Sequence, residues 1–146
     1  MKKIIIINGP NLNLLGVREP DIYGAQPFSD YFFSLRQAFP DVQLDYYQSN
    51  VEGELINKIH EVGFSYNGIV FNGGGYSHTS VALHDAIAAI AAPVVEVHIS
   101  NIFAREEYRH HSLISSVARG MVSGLGLYGY HLAVQYLLSP LSIPTP

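Results

Sequence analysis

Residues 93–101 form the run Pro93-Val94-Val95-Glu96-Val97-His98-Ile99-Ser100-Asn101, which begins as a buried strand and ends in polar side chains. In open α/β sheets, ligands bind at the carboxyl ends of the strands. The run therefore predicts a strand that delivers polar groups to a site. Three other apolar runs end in the same way, in Asn8-Gly9-Pro10-Asn11, in Gln48-Ser49-Asn50 and in the segment from Asn72 to Ser80. We expect these four strand ends to converge on one rim.

Strand-like and helix-like segments alternate five times along the chain. The predicted strands are residues 3–8, 42–47, 68–71, 93–98 and 120–125, and the predicted helices are 27–39, 52–62, 79–91, 112–119 and 130–138. This alternation favours an α/β fold, namely a flavodoxin-like, five-stranded parallel sheet of order 2-1-3-4-5 with helices on both faces. We expect residues 1–140 to form a single domain and residues 141–146 to form a Pro-rich, disordered tail.

The segment from Arg18 to Gly24 is long for a connection between a strand and a helix. Long loops in compact domains usually act as lids or binding loops. The segment is therefore predicted to be a mobile binding loop, the alternative being a merely flexible connection.

Composition excludes several classes of function. The 146 residues carry a net charge of −4, so no basic surface for nucleic acid is expected. The absence of cysteine excludes disulfides, thiol nucleophiles and cysteine zinc sites. No signal peptide and no apolar run of ~20 residues is found, so a cytoplasmic protein without membrane contact is expected. Charged residues make up only 14% of the chain, which fits either burial within a homo-oligomer or an ordinary apolar domain.

Two motifs suggest a cofactor site or a metal site but lack the surrounding residues or the spacing that such a site needs. Gly124, Gly126 and Gly129 match the dinucleotide pattern G-x-G-x-x-G, but no strand and no acidic residue follow at the required distance. Tight packing of the last helix is the better interpretation. His110 and His111 are adjacent and would diverge on a helix, so a structural or substrate-facing role is expected for one of them rather than metal binding.

The polar residues at the predicted rim suit proton transfer on a polyhydroxylated acid without a cofactor. Lysine occurs only at positions 2, 3 and 58, none of them in a strand-end motif, which argues against a Schiff base. Tyrosine is a poor base until a cation lowers its pKa, and Arg18 could supply that charge to Tyr23. His98 is the natural acid, with Glu96 to orient it. The alternatives are that Tyr23 packs in a loop and that His78 and His98 are satisfied strand-end histidines.

Motifs spread over nearly the whole chain resemble those of the type II 3-dehydroquinate dehydratases, shikimate-pathway enzymes that convert 3-dehydroquinate to 3-dehydroshikimate. The matching pieces are N-G-P-N-L-N-L-L-G-x-R-E-P at Asn8 to Pro20, Y-G at Tyr23-Gly24, Q-S-N-x-E-G at Gln48 to Gly53, H-T-S-V-A-L-x-D-A at His78 to Ala86, and E-V-H-I-S-N with A-R-E-E-x-R-H-H-S at Glu96 to Ser112.

The resemblance implies a role for each matching position. Tyr23 would remove a proton alpha to the substrate ketone, with Arg18 nearby to favour its anionic form. Asn11 would hold the water that stabilises an enolate, and His98 would protonate the departing hydroxyl. The remaining positions would bind substrate, through its hydroxyls at Asn72, His78 and Arg109, through its carboxylate at Ile99 N–H and Ser100, and from a neighbouring subunit at Asp85.

The resemblance also implies a cofactor-free enzyme that assembles as a dodecamer of trimers. Three positions depart from the usual family pattern, namely Gly73, His84 and Phe103. Gly73 is expected to loosen the loop that carries Asn72. His84 and Phe103 are expected to affect subunit contacts. None of the three removes a proposed catalytic group.

Three rival functions make different predictions. A flavodoxin-like module for a mononucleotide would leave Arg18, Tyr23 and His98 unexplained. An α/β-hydrolase esterase would need a G-x-S-x-G elbow, and the chain has none. A non-catalytic assembly subunit would not need these three side chains intact.

Overall fold

The computed structural model describes residues 1–139 and contains a five-stranded parallel sheet of order β2-β1-β3-β4-β5. The strands are β1 (Lys2–Asn8), β2 (Val42–Gln48), β3 (Gly68–Asn72), β4 (Val94–His98) and β5 (Gly120–Ser123). Both the predicted fold class and the predicted strand order are confirmed. The predicted tail at 141–146 lies outside the described residues.

Five α-helices connect or flank these strands. They are α1 (Pro20–Tyr23), α2 (Phe28–Ala38), α3 (Glu52–Val62), α4 (Val81–Ala88) and α5 (Tyr128–Leu137). Short 3₁₀ turns occupy residues 12–14, 74–78, 102–104, 107–109 and 115–117. Within residues 1–139, no helix is long and apolar enough to cross a membrane.

The alternation of side chains along β1 explains why helices cover both faces of the sheet. Ile4 and Ile6 point into one core, which α2 and α5 cover with Phe28 and Tyr130 among others. Ile5 and Ile7 point into the opposite core, where α3 and α4 contribute the apolar residues Leu55, Ile59, Leu83 and Ile87. A central parallel strand must be apolar on both sides, and the four isoleucines of β1 satisfy that requirement.

Two predicted helices are shorter than expected. The predicted helix 112–119 is only a 3₁₀ turn at Ser115–Val117. The Ser112 hydroxyl accepts the N–H groups of Ile114 and Ser115 as a helix cap would, but the turn ends early because Ala118 is extended and the Arg119 N–H donates to the Val94 carbonyl of β4. Helix α4 begins only at Val81, because Ser80 has an extended backbone and caps the helix by accepting the Leu83 N–H at 2.9 Å.

Two other boundaries differ because of the local backbone. The fifth strand ends at Ser123 rather than Leu125, since Gly124 has φ +87° and turns the chain away from the sheet. The segment from Arg18 to Gly24, predicted as a loop, contains the four-residue helix α1, which Pro20 opens.

The last glycine of the G-x-G-x-x-G match, Gly129, allows α5 to lie directly against the sheet. A Cβ atom at Gly129 would lie 3.3 Å from side-chain carbons of both Val97 and Val122. A larger residue there would push the helix off β4 and β5. The prediction that this motif serves helix packing is confirmed.

Candidate active site

The carboxyl ends of the strands surround a cleft, as the sequence predicts. Nine of the ten predicted site residues line it, namely Asn11, Arg18, Tyr23, Asn72, His78, His98, Ile99, Ser100 and Arg109. The tenth, Asp85, lies outside the cleft on α4, where its side chain is 70% exposed and its carboxylate is 2.9 Å from His84 Nδ1. Within a single chain, therefore, Asp85 does not contribute to this site.

His98 is held from behind by a buried carboxylate. His98 lies at the end of β4, and its Nε2 is 2.6 Å from Glu96 Oε2. Glu96 is fully buried and also accepts hydrogen bonds from the hydroxyls of Ser112, at 2.5 Å, and Ser115. Because Glu96 occupies Nε2, the nitrogen of His98 that remains for a ligand is Nδ1. The predicted orienting role of Glu96 is supported by this contact.

Glu96 is favoured in its ionised form. Burial acts to raise the pKa of its carboxyl group, but the hydrogen bond and the positive charge of His98 outweigh that effect, together with the two serine hydroxyls. The net result is a pKa below the ordinary value of a glutamate. A carboxylate in this state is a strong acceptor for the Nε2–H of His98 and fixes the orientation of the ring.

Tyr23 lies close to two guanidinium groups. Its hydroxyl oxygen accepts a hydrogen bond from Arg105 Nη1 at 2.7 Å, and the same nitrogen is 3.2 Å from Ser100 Oγ. The guanidinium carbon of Arg18 lies 4.9 Å from the centre of the Tyr23 ring. A cation that donates to a phenolic oxygen stabilises its negatively charged form. These contacts make Tyr23 a candidate base, and its ring also packs against the core beneath the cleft.

Arg105 is a charged residue of the cleft that the sequence motifs did not assign to the site. It appears in the motif after β4, but its contact with Tyr23 spans 82 residues of chain. The sequence did contain a usable signal. Lysine and arginine together number only eight, so any cation that follows a strand-end motif is a candidate for the site. Three of those eight, Arg18, Arg105 and Arg109, line one cleft.

His78 faces the cleft beside His98. Its ring centre lies 6.0 Å from that of His98, and its Nδ1 donates to the His111 carbonyl at 2.8 Å. Burial lowers the pKa of His78, the His111 carbonyl opposes that effect, and the positive charges of His98 and Arg109 lower the pKa further. The net shift is downward, which favours a neutral ring at His78.

His110 and His111 have structural contacts. The Nε2 of His110 is 3.0 Å from the Arg105 carbonyl, and the carbonyl of His111 holds His78. No group of three His, Cys, Asp or Glu that could hold a metal ion occurs in residues 1–139.

The predicted strand end at Gln48-Ser49-Asn50 supports the rim without lining it. Asn11 has a left-handed backbone with φ 69°, and its N–H donates to Asn50 Oδ1 at 2.9 Å. Gln48 Nε2 donates to the same oxygen at 3.1 Å and to the Gly9 carbonyl at 3.1 Å. The ends of β1, β3 and β4 therefore contribute residues to the cleft, while the end of β2 fixes the backbone of Asn11.

Comparison with known proteins agrees over almost the whole chain. A sequence model of the family described as Dehydroquinase class II matches residues 2–138. The chain is 52% identical over 141 residues to a 3-dehydroquinate dehydratase of Bacillus licheniformis, covering 95% of this chain and 97% of that protein. It is 51% identical over 142 residues to one of Bacillus subtilis, covering 95% of each. The crystal structure of a type II dehydroquinase from Butyrivibrio crossotus superposes with a TM-score of 0.90 at 43% identity, covering 94% of this chain and 98% of that one.

Proposed function

Because the chain belongs to the class II dehydroquinase family, we propose that its cleft catalyses the dehydration of 3-dehydroquinate to 3-dehydroshikimate, a hydro-lyase reaction of the shikimate pathway. The elimination runs through an enolate, with a tyrosine base and a histidine acid. It needs no cofactor, since proton removal alpha to a ketone and protonation of a leaving hydroxyl are both within reach of side chains.

One observation carries the assignment of the base. Tyr23 Oη accepts from Arg105 at 2.7 Å while Arg18 lies against the same ring. Both cations favour the phenolate, which can remove the proton alpha to the substrate ketone. The water that would stabilise the enolate is assigned to Asn11, whose position is set by Asn50.

His98 is proposed to protonate the departing hydroxyl. Its Nε2 is engaged by Glu96, so the proton would leave from Nδ1. The buried carboxylate favours the imidazolium, which is the form that can act as an acid. The products are a water molecule and 3-dehydroshikimate, whose ring carries the new conjugated double bond.

The remaining cleft residues are proposed to bind the substrate. Its carboxylate would bind to Ile99 N–H and the Ser100 hydroxyl, and its hydroxyl groups to Asn72, His78 and Arg109. Arg109 Nε pairs with Glu106 at 2.7 Å and is therefore already held near the cleft.

A dodecamer of trimers is part of the same proposal. In such an assembly Asp85 would reach the site of a neighbouring subunit, which agrees with its exposure on α4 and its distance from its own cleft. A cytoplasmic location remains a prediction from the sequence.

A spectroscopic assay tests the activity directly. Purified protein is mixed with 3-dehydroquinate, and the absorbance of the conjugated enone carboxylate is followed. In parallel, the protein is treated with borohydride in the presence of substrate, freed of the reagent and assayed again with fresh substrate. We expect an equal rise after this treatment, since no lysine imine is available for reduction. A folded protein that produces no rise in absorbance would contradict the proposed activity. Mononucleotide binding would then be the favoured function.

Replacement of Tyr23 by Phe tests the base. We expect turnover to fall by about 100-fold or more while substrate binding changes little, because the ring stays and only the proton-transfer group is lost. The matched control is Tyr136→Phe, since Tyr136 lies with Pro93 and Arg119 at the opposite end of the sheet. Normal turnover in the Tyr23→Phe variant would exclude Tyr23 as the base.

A further inference from the structure

Tyr130 joins two asparagines at the base of the cleft. Its side chain is fully buried on α5, and its hydroxyl lies 2.9 Å from Asn8 Oδ1 and 2.9 Å from Asn72 Nδ2. Asn8 and Asn72 are register partners at the carboxyl ends of the neighbouring strands β1 and β3. Of these three residues, only Asn72 lines the cleft.

The direction of every hydrogen bond in this group follows from one backbone donor. The N–H of Gly74 can only donate, and it lies 3.1 Å from the Asn72 side-chain oxygen. The Asn72 amide must therefore turn its nitrogen towards Tyr130, whose hydroxyl accepts. The single proton of that hydroxyl is then left for the side-chain oxygen of Asn8, whose Nδ2 is buried without a hydrogen-bond partner among residues 1–139. The orientation of the Asn72 amide is thus set by donor and acceptor capacity.

This arrangement determines which group Asn72 can offer to a ligand. Its oxygen is engaged by Gly74 and one of its two N–H bonds by Tyr130. Its second N–H makes no hydrogen bond within the part of the chain that the structure describes. Asn72 can therefore donate to an oxygen lone pair of a ligand without giving up either contact.

We propose that Tyr130 is a positioning residue, which holds the Asn72 amide so that it donates a hydrogen bond to a hydroxyl oxygen of the substrate. The proposal rests on the proposed function for the identity of that substrate. Gly74 also contributes, because its φ of +58° aims its N–H back at Asn72. Gly74 thus fixes the amide from one side while Tyr130 fixes it from the other.

The test is the variant Tyr130→Phe, which keeps the ring and removes the hydroxyl. We expect the KM for 3-dehydroquinate to rise about tenfold, while kcat changes less than threefold, because a contact made equally in the ground and transition states affects KM alone. The matched control is Tyr31→Phe. Tyr31 packs 6.2 Å from the Tyr130 ring in the same aromatic cluster, and its hydroxyl contacts neither asparagine.

A loss of packing would affect both variants, whereas a loss of positioning affects only Tyr130→Phe. A KM within twofold of the wild type in a folded Tyr130→Phe variant would overturn the proposal, as would an equal rise in Tyr31→Phe.

Hydrogen exchange of the Asn72 side-chain amide, followed by NMR, gives a reading that does not depend on activity. We expect faster exchange in Tyr130→Phe and no change in Tyr31→Phe, and unchanged exchange in both would equally overturn it. A wild-type protein that does not turn over 3-dehydroquinate would refute the proposed function, and the exchange measurement would still decide the role of Tyr130.

Discussion

A buried carboxylate needs hydrogen-bond donors, and the carboxylate of Glu96, which lies behind His98, has three. Ser112 and His98 share one of its oxygens, and Ser115 occupies the other. Removal of any of these donors would leave part of a buried carboxylate unsatisfied, which costs more than the hydrogen bond itself contributes. The hydroxyls of Ser112 and Ser115 therefore belong to the machinery of His98 although neither is a site residue by motif.

Acid should destabilise the protein partly through His78. The pKa of His78 lies below its ordinary value of 6.5 in the folded chain, so the unfolded chain binds a proton first as the pH falls. The contribution to the free energy of unfolding is full above about pH 6.5 and is lost as the pH falls through the folded value. We expect His78→Gln to lose less unfolding free energy than the wild type between pH 7.5 and pH 5.5 in urea titrations.

The control for this variant is His60→Gln, because His60 is exposed on α3 and far from the cleft. It should lose as much stability as the wild type over the same interval. An identical pH dependence in the wild type and in His78→Gln would show that the burial of His78 has no effect on stability.

At this scale the sequence predicts what is local and misses what depends on distant contacts. Tyr23 and His98 follow from motifs, and Glu96 follows from its position two residues before His98 on the same strand face. Arg105 and Tyr130 were assigned no role, because their partners lie 82 and 58 residues away along the chain. Tyr130 also stands in a helix whose apolar stripe accounts for a large aromatic residue without any polar function.

Helix α4 depends on a side chain that belongs to no helix. Ser80 accepts the Leu83 N–H, and its own hydroxyl donates at 2.5 Å to Glu52 Oε2 in the first turn of α3. Ser80 is 3% exposed, so neither contact can be replaced by bulk water. One hydroxyl thus caps α4 and joins it to α3 on the same face of the sheet.

Replacement of Ser80 by Ala should lower the free energy of unfolding by about 1 to 3 kcal/mol, since it removes a helix cap and a buried hydrogen bond together. Chemical denaturation measures this change. The control is Ser34→Ala on α2, where the hydroxyl makes a long 3.4 Å bond to the Asp30 carbonyl, and a change below about 0.5 kcal/mol is expected. Equal effects of the two substitutions would show that the cap does not stabilise α4.

Elements were predicted well where periodicity decides them and poorly where a distant strand ends them. Helix α3 begins and ends at the predicted residues, because apolar positions repeat at helical spacing up to Gly63. The predicted helix at 112–119 was wrong, since Ala118 is extended and the Arg119 N–H donates to the Val94 carbonyl of β4. The spacing of apolar residues carries no information about this contact with a strand earlier in the chain.

On the scale of the whole molecule, the proposed assembly would place the exposed face of α4 against a neighbouring subunit. Val81 is 62% exposed, and Asp85 lies one helical turn further along the same face. An exposed apolar residue next to a carboxylate that serves no site of its own chain is consistent with the proposed assembly.

Replacement of Asp85 by Asn should therefore impair either turnover or trimer assembly. Sedimentation velocity reports the assembly, and the dehydration assay reports the turnover. Asp41→Asn is the control, because Asp41 is exposed at the turn before β2, at the other end of the sheet. A normal assembly with a normal rate in Asp85→Asn would exclude a role for Asp85 in a neighbouring subunit.

The topology of the whole molecule could be predicted because each level of the sequence agrees with the others. The four isoleucines of β1, the alternating pattern of β2 and the helical stripes between them all require the same two-faced sheet. The assembly could not be derived in the same way, because an exposed residue such as Val81 has the same sequence pattern whether water or another subunit covers it.

The three arginines of the cleft also affect how an anion arrives. The molecule as a whole carries a charge of −4, which repels a carboxylate at long range. Arg18, Arg105 and Arg109 line the cleft, whereas the nearby carboxylates Glu19, Glu96 and Glu106 do not, so the charges that face its opening are positive. At physiological ionic strength charges are screened beyond about 8 Å, so an approaching anion experiences the mouth and little of the rest. The cleft therefore acts as a local electrostatic funnel on an acidic protein, and encounter with an anionic ligand is steered by its rim rather than by the total charge.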